Sequence, residues 1–266
     1  MSIKRKYKHM VIPDCQVKGG VPLDHLKWAG MYAAEKKPDV IICIGDFADM
    51  PSLSSYDVGK KCFEGRTYLN DIEVTKDAMS MLLLPIKQVC RTDTKYQPRF
   101  IFTMGNHEEG RITRAIESDR KLERLISVND LGYTEAGWTV IPYLQVKTIH
   151  GISYSHYFTS GVLDRPVTSA RALLTKRHCS AVMGHVQRRD IAYDYTAQGK
   201  QITGLFAGCF YQHDEPYMSK QANKHWRGIW MLHNVCEGEF DECPIPLEYL
   251  KQKYKSGEYT KEDLSY

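Results

Sequence analysis

The sequence has no hydrophobic run long enough to cross a bilayer. Its longest apolar stretches, VIICI and MSMLLLPI, are far shorter than the roughly 20 residues that a transmembrane helix needs. The opening stretch, MSIKRKYKHMVIPD, is basic but includes no apolar segment of signal-peptide length, so we expect neither export nor a membrane partner. The sequence also has no internal repeat, no low-complexity tract and no linker rich in Pro, Gly or Ser. These absences favour one large domain, which we predict over residues 1–245, followed by a peripheral tail over 246–266.

The eight cysteines form no C-x-x-C pair. Cys43 lies inside an apolar run, where a thiol behaves as a small hydrophobic group, so we predict reduced cysteines and a cytoplasmic compartment. The 36 basic and 32 acidic residues give a formal net charge of +4. This charge is compatible with a phosphate-bearing substrate but too small for a general nucleic-acid coat, and it leaves the oligomeric state open.

Alternation of short apolar runs and helical patterns indicates an α/β protein. A strand, a helix over 21–37 and a second strand predict two parallel neighbouring strands at the start. Residues 51–100 read as a polar rim loop followed by a helix over about 70–90, with Asn70 as a candidate cap and a bend near Pro85. A hairpin turn is predicted near His150 and Gly151.

Five of the short apolar runs end on side chains that bind metals or transfer protons, and three of these ends directly follow a glycine. The side chains are Asp14, Gln16, Asp46, Asp49, Asn106, His107, His156, His185 and Gln187. Ligand sites in layered α/β proteins gather at the carboxyl ends of strands. Carboxylates, amides and imidazoles form a set suited to divalent metals. Three neighbouring aspartates would repel and raise one another's pKa unless cations held them in the ionised form.

The order of these blocks resembles the calcineurin-like metallophosphoesterases, in which DxH, GDxxD, GNH(D/E), a lone His and GHxH follow one another. In this chain the blocks are DCQ, GDFAD, GNHE, His156 and GHVQ, over residues 14–187. The chain looks similar to members encoded by bacteriophages, and for such a member the compartment would be the host cytoplasm. The resemblance implies a four-layer α/β/β/α sandwich of two mixed sheets flanked by helices, and a phosphoesterase activity.

The resemblance also implies a role for each matching residue. Two divalent ions would be held by seven metal-binding residues, namely Asp14, Gln16, Asp46, Asn106, His156, His185 and Gln187. Asp46 would bridge the two ions, and a hydroxide between them would attack phosphorus. His107 would act as the general acid, oriented by Asp49.

Two departures from the family pattern concern the first metal. Gln16 and Gln187 stand where the family has histidine. An amide oxygen is a harder and weaker ligand than imidazole, so we expect Mn²⁺ first, with Mg²⁺, Zn²⁺ or Fe as alternatives. The hypothesis is a tight second metal and a looser, exchangeable first one.

Several assignments have alternatives in the sequence. His150 competes with His156 as the strand-end ligand, but its place at a predicted turn favours His156. Gln16 and Gln187 could reach the metal only through water. Three further side chains are candidates for substrate contacts: Arg111, Arg188 and Tyr157. Arginines on a helix are usually solvated, which is the simpler reading for the first two.

Three functions fit these patterns. The first is a phosphodiesterase that acts on DNA or a nucleotide, and the second is a phosphomonoesterase. Protein phosphatases of this superfamily carry Arg directly after GDxxD, and Met50 stands there instead. The third, a metal-binding scaffold, has no need for both Asp49 and His107. We therefore expect a metal-dependent phosphodiesterase.

Overall fold

The computed structural model describes residues 4–55, 57–215 and 225–255. Within these ranges the strands are β1 (Tyr7–Ile12), β2 (Val40–Cys43), β3 (Arg99–Thr103), β4 (Thr139–Ile141), β5 (Lys147–Ile149), β6 (Ile152–Tyr154), β7 (Ala181–Met183), β8 (Arg189–Tyr195), β9 (Gln201–Ala207), β10 (Gly228–Cys236) and β11 (Glu239–Pro246). The α-helices are α1 (Asp24–Lys36), α2 (Tyr68–Thr92), α3 (Arg111–Ser118), α4 (Ala170–Arg177) and α5 (Leu247–Lys255).

The first sheet has the order β11-β10-β1-β2-β3-β4. Its strands β1 to β4 are parallel, and β10 and β11 add to one side of β1 in antiparallel fashion. His9 of β1 pairs with Val40 of β2, so the prediction of two parallel opening strands is confirmed. Because β1, β2 and β3 run in the same direction, their carboxyl ends meet at one edge of the sheet.

The second sheet has the order β5-β6-β7-β9-β8. Strands β6, β7 and β9 are parallel, while β5 and β8 pair antiparallel with their neighbours. His150 and Gly151 form the tight turn between β5 and β6, as the sequence predicts. Both residues have positive φ, which a two-residue hairpin of this kind requires.

Apolar side chains divide the molecule into layers. Val11 and Ile42 of the first sheet and Val182 and Leu205 of the second belong to one buried cluster between the sheets. A second cluster joins the other face of the first sheet to α1, α2 and α5, and a third joins the second sheet to α4. The predicted four-layer α/β/β/α sandwich is therefore confirmed. Burial of apolar surface on both faces of each sheet is what stabilises this arrangement.

The helix over residues 70–90 begins earlier than the sequence indicates, and its cap is different. Thr67 is the N-cap, and its side-chain oxygen accepts a hydrogen bond from the backbone N–H of Asn70. Asn70 is therefore a residue of the first turn, so the prediction that it is the cap was wrong. Thr67 has an extended backbone and stands three residues before Asn70, so its side chain can accept from an N–H of the first helical turn that has no partner within the helix. Pro85 lies inside α2.

Helix α5 lies in the segment that the sequence predicts as a peripheral tail. Leu250 is fully buried in the cluster that covers the first sheet, and Leu247 is nearly so. The Tyr254 hydroxyl donates a hydrogen bond to Glu35 of α1 at 2.9 Å. Residues 256–266 lie outside the described residues, and the division of the chain at residue 245 stays a prediction.

None of the helices in the described ranges combines the length and the hydrophobicity that a membrane span requires. The described cysteine side chains are all free thiols.

A buried polar chain crosses the space between the two sheets. His9 Nδ1 lies 2.7 Å from the Tyr154 hydroxyl, and His9 Nε2 lies 2.8 Å from Nδ1 of His150. Burial lowers the pKa of His9 to about 3, and the charges of His150 and Arg99 act in the same direction. The folded protein therefore holds His9 neutral at pH values where the unfolded chain would protonate it.

We predict that this neutral histidine makes the folded state sensitive to acid. Because the pKa of His9 is lower in the folded state, its contribution is complete above pH 6.5 and is lost as the pH falls. Unfolding free energies, measured in urea at pH 7.5, 6.5, 5.5 and 5.0, should decrease by about 2 kcal/mol more for wild type than for His9→Gln between pH 6.5 and 5.0. Equal pH dependences would contradict this assignment. The comparison cancels the contributions of all groups shared by the two proteins.

Candidate metal centre

The carboxyl ends of five strands converge where the two sheets meet. Asp14 follows β1, Asp46 follows β2, and Asn106 follows β3. His156 follows β6 and His185 follows β7 in the other sheet. The parallel pairing within each sheet is what places these residues at one common edge.

Two glycines allow these strand ends to approach one another closely. A Cβ atom at Gly105 would lie 2.1 Å from Oδ1 of Asp46, and a Cβ at Gly184 would lie 2.3 Å from Oδ1 of Asp14. Any side chain at either position would displace a carboxylate. The glycine that precedes Asn106 and the one that precedes His185 are therefore part of the site's geometry.

Four of the predicted site residues have left-handed backbone conformations. The φ angles are 48° at Gln16, 49° at Asp46, 65° at His185 and 60° at Gln187. Such angles are unfavourable for residues other than glycine, and they persist only where the surrounding structure holds them. Their concentration at one edge of the sandwich is typical of a functional site.

The centre of the site is a ring of potential ligand atoms. One ligand atom from each of Asp46, His156 and His185 lies within 4.8 Å of the other two. His156 Nε2 is 3.3 Å from Asp46 Oδ2 and 2.9 Å from Asn106 Oδ1. His185 Nδ1 is also 2.9 Å from Asn106 Oδ1. The structure therefore brings these four predicted residues together.

The hydrogen bonding of His156 shows which of its nitrogens faces the other ligand atoms. Its Nδ1 lies 2.9 Å from the carbonyl oxygen of Ile44, which can only accept a hydrogen bond. Nδ1 therefore carries the proton of the neutral imidazole, and in that form Nε2 turns its lone pair toward the oxygens of Asp46 and Asn106. The lone pair of Nε2 and the Asp46 carboxylate repel each other in this buried site, and a proton or a metal ion between them removes the repulsion.

The pKa values of His156 and His185 are consistent with a cation at this position. Burial lowers the pKa of His156, but the charge of Asp46 outweighs burial and raises it to about 9. Burial lowers the pKa of His185 to about 4, and a charge on His156 acts in the same direction. His185 is thus held in the neutral form that binds metals, and the donor set of the ring fits a divalent ion.

Asp14 lies beside this ring with an unsatisfied oxygen. Its side chain is fully buried, and its Oδ1 accepts a hydrogen bond from the backbone N–H of His185 at 3.0 Å. Its Oδ2 is buried and has no hydrogen-bond partner among the described residues. Burial raises the pKa of Asp14 to about 7 and the charge of Asp46 acts in the same direction, while the charge of His156 opposes them. An orphaned carboxylate oxygen is the kind of atom that a metal ion satisfies.

The two glutamines that replace histidines both have protein partners. The amide nitrogen of Gln16 lies 3.5 Å from Oδ2 of Asp46. The amide oxygen of Gln187 accepts a hydrogen bond from the Tyr211 hydroxyl at 2.9 Å, which still leaves that oxygen a second lone pair. Direct ligation by these amides and ligation through water both remain open, so their role stays a prediction.

His107 and Asp49 form a pair next to the ring. Nδ1 of His107 is 2.8 Å from Oδ1 of Asp49, and its Nε2 is 3.8 Å from Oδ2 of Asp46. Burial lowers the pKa of His107, but the charge of Asp46 and the hydrogen bond to Asp49 outweigh burial and raise the pKa above its usual value. The pair has the geometry of an oriented proton donor.

A cavity of about 1290 Å³ opens in front of the ring. Six predicted residues line it: Asp46, Asp49, His107, Arg111, His185 and Gln187. Its other wall includes residues of the predicted rim loop, among them Asp57, Lys60 and Arg66.

The structure does not place every predicted substrate contact at the cavity. Arg188 donates a hydrogen bond to the carbonyl oxygen of Thr168 and lies over the ring of Phe206, away from the cavity lining. The Tyr157 hydroxyl donates to the carbonyl oxygen of Asp164 at 3.2 Å, and its ring is outside the lining as well. Arg111 does line the cavity, but its guanidinium is held by Asp49.

His150, the alternative ligand, lies far from the ring in the hairpin turn. Its imidazole stacks on Tyr7 with ring centroids 3.6 Å apart, and it contacts His9. The sequence preference for His156 over His150 agrees with this placement.

Glu108 is a structural residue that sequence reasoning missed. It is fully buried, and its Oε2 accepts hydrogen bonds from the backbone N–H groups of Asp46 and Gly105, both at 2.9 Å. Its Oε1 accepts from the N–H groups of Phe47 at 2.7 Å and Ala48 at 3.1 Å. Glu108 thereby ties the end of β3 to the end of β2. Its sequence signal was the acid that ends the GNHE block, to which no role was assigned.

No protein-family model and no curated protein sequence matches this chain. Among solved structures, the chain is similar to a conserved uncharacterised protein from Streptococcus pneumoniae that is described as a predicted phosphoesterase. The two chains share 11% sequence identity with a TM-score of 0.33, over 91% of this chain and 99% of the other. This level of similarity does not assign an activity to the chain.

We predict that the ring binds one divalent ion tightly and that the site beside Asp14 binds a second ion more weakly. His156→Ala should lower the affinity of the tight ion by roughly 100-fold or more, since it removes a ligand rather than an outer contact. Gln187→Ala should affect only the weaker step. Calorimetric titration of the apoprotein with Mn²⁺ separates the two steps. Elemental analysis that found two tightly held zinc or iron ions per chain would contradict this prediction.

We also predict that Glu108 stabilises the loop that carries Asp46. Glu108→Gln places an NH₂ group against two backbone N–H donors, which should lower the unfolding free energy by about 2–4 kcal/mol. Glu109→Gln is the matched control, because among the described residues Glu109 accepts a single backbone hydrogen bond, from the N–H of Tyr143 at 2.8 Å, and glutamine can still accept it. Chemical denaturation measures both variants. Equal losses of stability would argue against the special role of Glu108.

Proposed function

We propose that this protein is a divalent-metal-dependent phosphoesterase that hydrolyses phosphodiester bonds. The observation that carries the proposal is the placement of the His107 and Asp49 pair beside the ligand ring, with His107 Nε2 3.8 Å from Asp46 Oδ2. A ring of metal ligands alone would fit a structural site. An oriented proton donor beside it has a purpose only if a bond is broken there.

The residues that would hold the metals fall into two sets. Asp46, Asn106, His156 and His185 would hold one ion, and Asp14 with Asp46 would hold the other, with Gln16 and Gln187 as further ligands. Divalent ions in such a site stabilise the charge that develops on a phosphoryl group and make water a better nucleophile at neutral pH. Mn²⁺ is the preferred ion because the set is rich in oxygen ligands.

His107 would protonate the oxygen of the leaving group. Its Nδ1–H donates to Asp49, so the imidazole of His107 presents Nε2 to the cavity in a fixed direction. The buried Asp49 carboxylate keeps this tautomer and stabilises the protonated ring. An ester with a poor leaving group depends on such a donor far more than one with a good leaving group.

The cavity supports a diester of nucleotide size as the substrate. Its volume of about 1290 Å³ admits groups on both sides of a phosphate. Lys60 and Arg66 at the rim are each paired with Asp57, at 3.0 Å and 2.8 Å. This pairing reduces the positive charge that a long polyanion would contact, so a nucleotide or a strand end fits the described rim better than a continuous duplex.

A substrate panel tests the proposed reaction. The panel contains bis-p-nitrophenyl phosphate, p-nitrophenyl phosphate, cyclic nucleotides, and single- and double-stranded DNA, each with Mn²⁺, Mg²⁺ or Zn²⁺. The proposal predicts turnover of the diester and of nucleotides, highest with Mn²⁺. Turnover of the monoester alone would show a phosphatase instead. No turnover of any ester by metal-loaded protein would leave a metal-binding scaffold.

We predict that His107→Ala retains the metal but loses rate. Without the proton donor, kcat should fall by roughly 100-fold or more for diesters with poor leaving groups, and much less for p-nitrophenyl esters. Steady-state kinetics over a series of substituted phenyl esters measures the difference, with metal content as the control. An unchanged kcat for every leaving group would remove His107 from the mechanism.

A further inference from the structure

The carboxylate of Asp49 is held on both of its oxygens. Oδ1 accepts from His107 Nδ1 at 2.8 Å and from Arg111 Nη1 at 3.2 Å. Oδ2 accepts from Lys18 Nζ at 3.0 Å, and this is the partner that the structure gives Oδ2 among the described residues. Rotation of the carboxylate would break the contact on one side or the other. Lys18 therefore helps to fix the orientation of the carboxylate that accepts from His107.

Lys18 is held in turn by a buried acid. Its Nζ lies 2.7 Å from Oε1 and 2.9 Å from Oε2 of Glu215, whose side chain is only 4% exposed. Oε1 of Glu215 also lies 2.7 Å from Nε2 of His213. The contacts form a row along the cavity wall, from His213 through Glu215, Lys18 and Asp49 to His107.

The donors of Lys18 are already directed at protein oxygens. Its Nζ contacts one oxygen of Asp49 and both oxygens of Glu215, and the two Glu215 contacts share one N–H because the oxygens of one carboxylate lie close together. Lys18 is 16% exposed and lines the cavity, but its charge is already compensated by the carboxylates of Asp49 and Glu215. Its effect on a reaction would therefore pass through Asp49.

We propose that Lys18, held by Glu215, is a positioning residue that fixes Asp49 and thereby the direction of the His107 ring. The inference rests on the proposed function, since it deepens the role of the same proton donor. Lys18 comes from the loop after β1, Asp49 from the loop after β2, His107 from the end of β3 and Glu215 from the segment after β9. The row thus joins four strand ends around one proton donor.

Lys18→Met tests the proposal by its dependence on the leaving group. In Mn²⁺-loaded protein, kcat should fall roughly 10- to 100-fold for diesters with poor leaving groups and less than about 3-fold for p-nitrophenyl esters, within the range for loss of proton transfer. KM should change little, because the charge of Lys18 is paired with Asp49 and Glu215 rather than directed at a substrate. A uniform rise in KM across the series would overturn the proposal and indicate a substrate contact.

Lys253→Met is the matched control. Lys253 is 18% exposed and pairs with Glu35 at 2.6 Å, between α5 and α1, away from the cavity. The same substitution therefore removes a comparably buried ion pair elsewhere. We expect this variant to lose some stability and to keep the wild-type dependence on the leaving group. If it showed the same dependence as Lys18→Met, the effect would be one of general stability, and the proposal would be overturned.

A double-mutant cycle separates positioning from other roles. In a His107→Ala background, Lys18→Met should cause no further loss of kcat, because the group that it positions is gone. Multiplied losses in the double variant would show that Lys18 acts independently of His107, against the proposal.

A readout without turnover distinguishes this inference from the proposed function. The Nδ1–H proton of His107, bonded to a carboxylate, should give a low-field NMR signal that is absent in His107→Ala. We expect Lys18→Met to weaken or shift this signal and Lys253→Met to leave it unchanged. If wild type hydrolysed no ester but the signal still depended on Lys18, the proposed function would fail while the positioning stood. An unchanged signal in Lys18→Met would contradict the positioning itself.

Glu215→Gln provides a second variant in case Lys18→Met does not fold. It leaves the Lys18 charge in place and weakens its anchor. The expected change in kcat and in the NMR signal has the same direction as for Lys18→Met and is smaller. No change in either measurement would overturn the proposal.

Discussion

The arrangement depends on the lone pairs of His156 Nε2 and Asp46 Oδ2, which face each other at 3.3 Å and repel unless a cation lies between them. Asp46 Oδ2, Asn106 Oδ1, His156 Nε2 and His185 Nδ1 converge in a buried space. The carbonyl of Ile44 occupies the Nδ1–H of His156, so that Nε2 has only its lone pair for this space. A proton can satisfy the ring at the cost of holding a charged imidazole away from water. A divalent ion would bind all four atoms at once. Oδ2 of Asp14, which is buried without a hydrogen-bond partner among the described residues, would favour a second ion beside the first.

The fold supplies the rigidity that this convergence requires. Parallel strands in both sheets direct their carboxyl ends to one edge, and the apolar cluster between the sheets fixes their separation. At that edge the backbone adopts left-handed angles at Asp46 and His185, which the packed core must hold in place. Glu108 closes the arrangement, because its carboxylate binds four backbone N–H groups and joins the loops of two strands. Stability of the core and geometry of the site are thus linked through backbone contacts.

The sequence predicts the alternation of strands and helices and most of the ring because both depend on local patterns, whereas the four layers followed only from the resemblance to a known family. Alternating strands and helices imply the parallel opening pair, and polar residues at strand ends imply a common edge. The supporting contacts are different, since Lys18 and Glu215 are 197 residues apart and neither stands in a motif. The sequence also does not show the direction in which a side chain points. Arg188 was therefore predicted to contact phosphate, although it donates a hydrogen bond to the carbonyl oxygen of Thr168. At the start of α2, Thr67 and Asn70 both have capping side chains, and only the backbone geometry selects Thr67.

Anomalous scattering from crystals grown with Mn²⁺ tests the central claim most directly. The account predicts a strong anomalous peak at the Mn absorption edge, within coordinating distance of Asp46 Oδ2, His156 Nε2, His185 Nδ1 and Asn106 Oδ1. A weaker second peak is expected between Asp14 and Asp46. Crystals at saturating Mn²⁺ with no peak at the ring, and with the His156 and Asp46 contact unchanged, would contradict the account. The ring would then be closed by a proton, and the protein would have no metal centre.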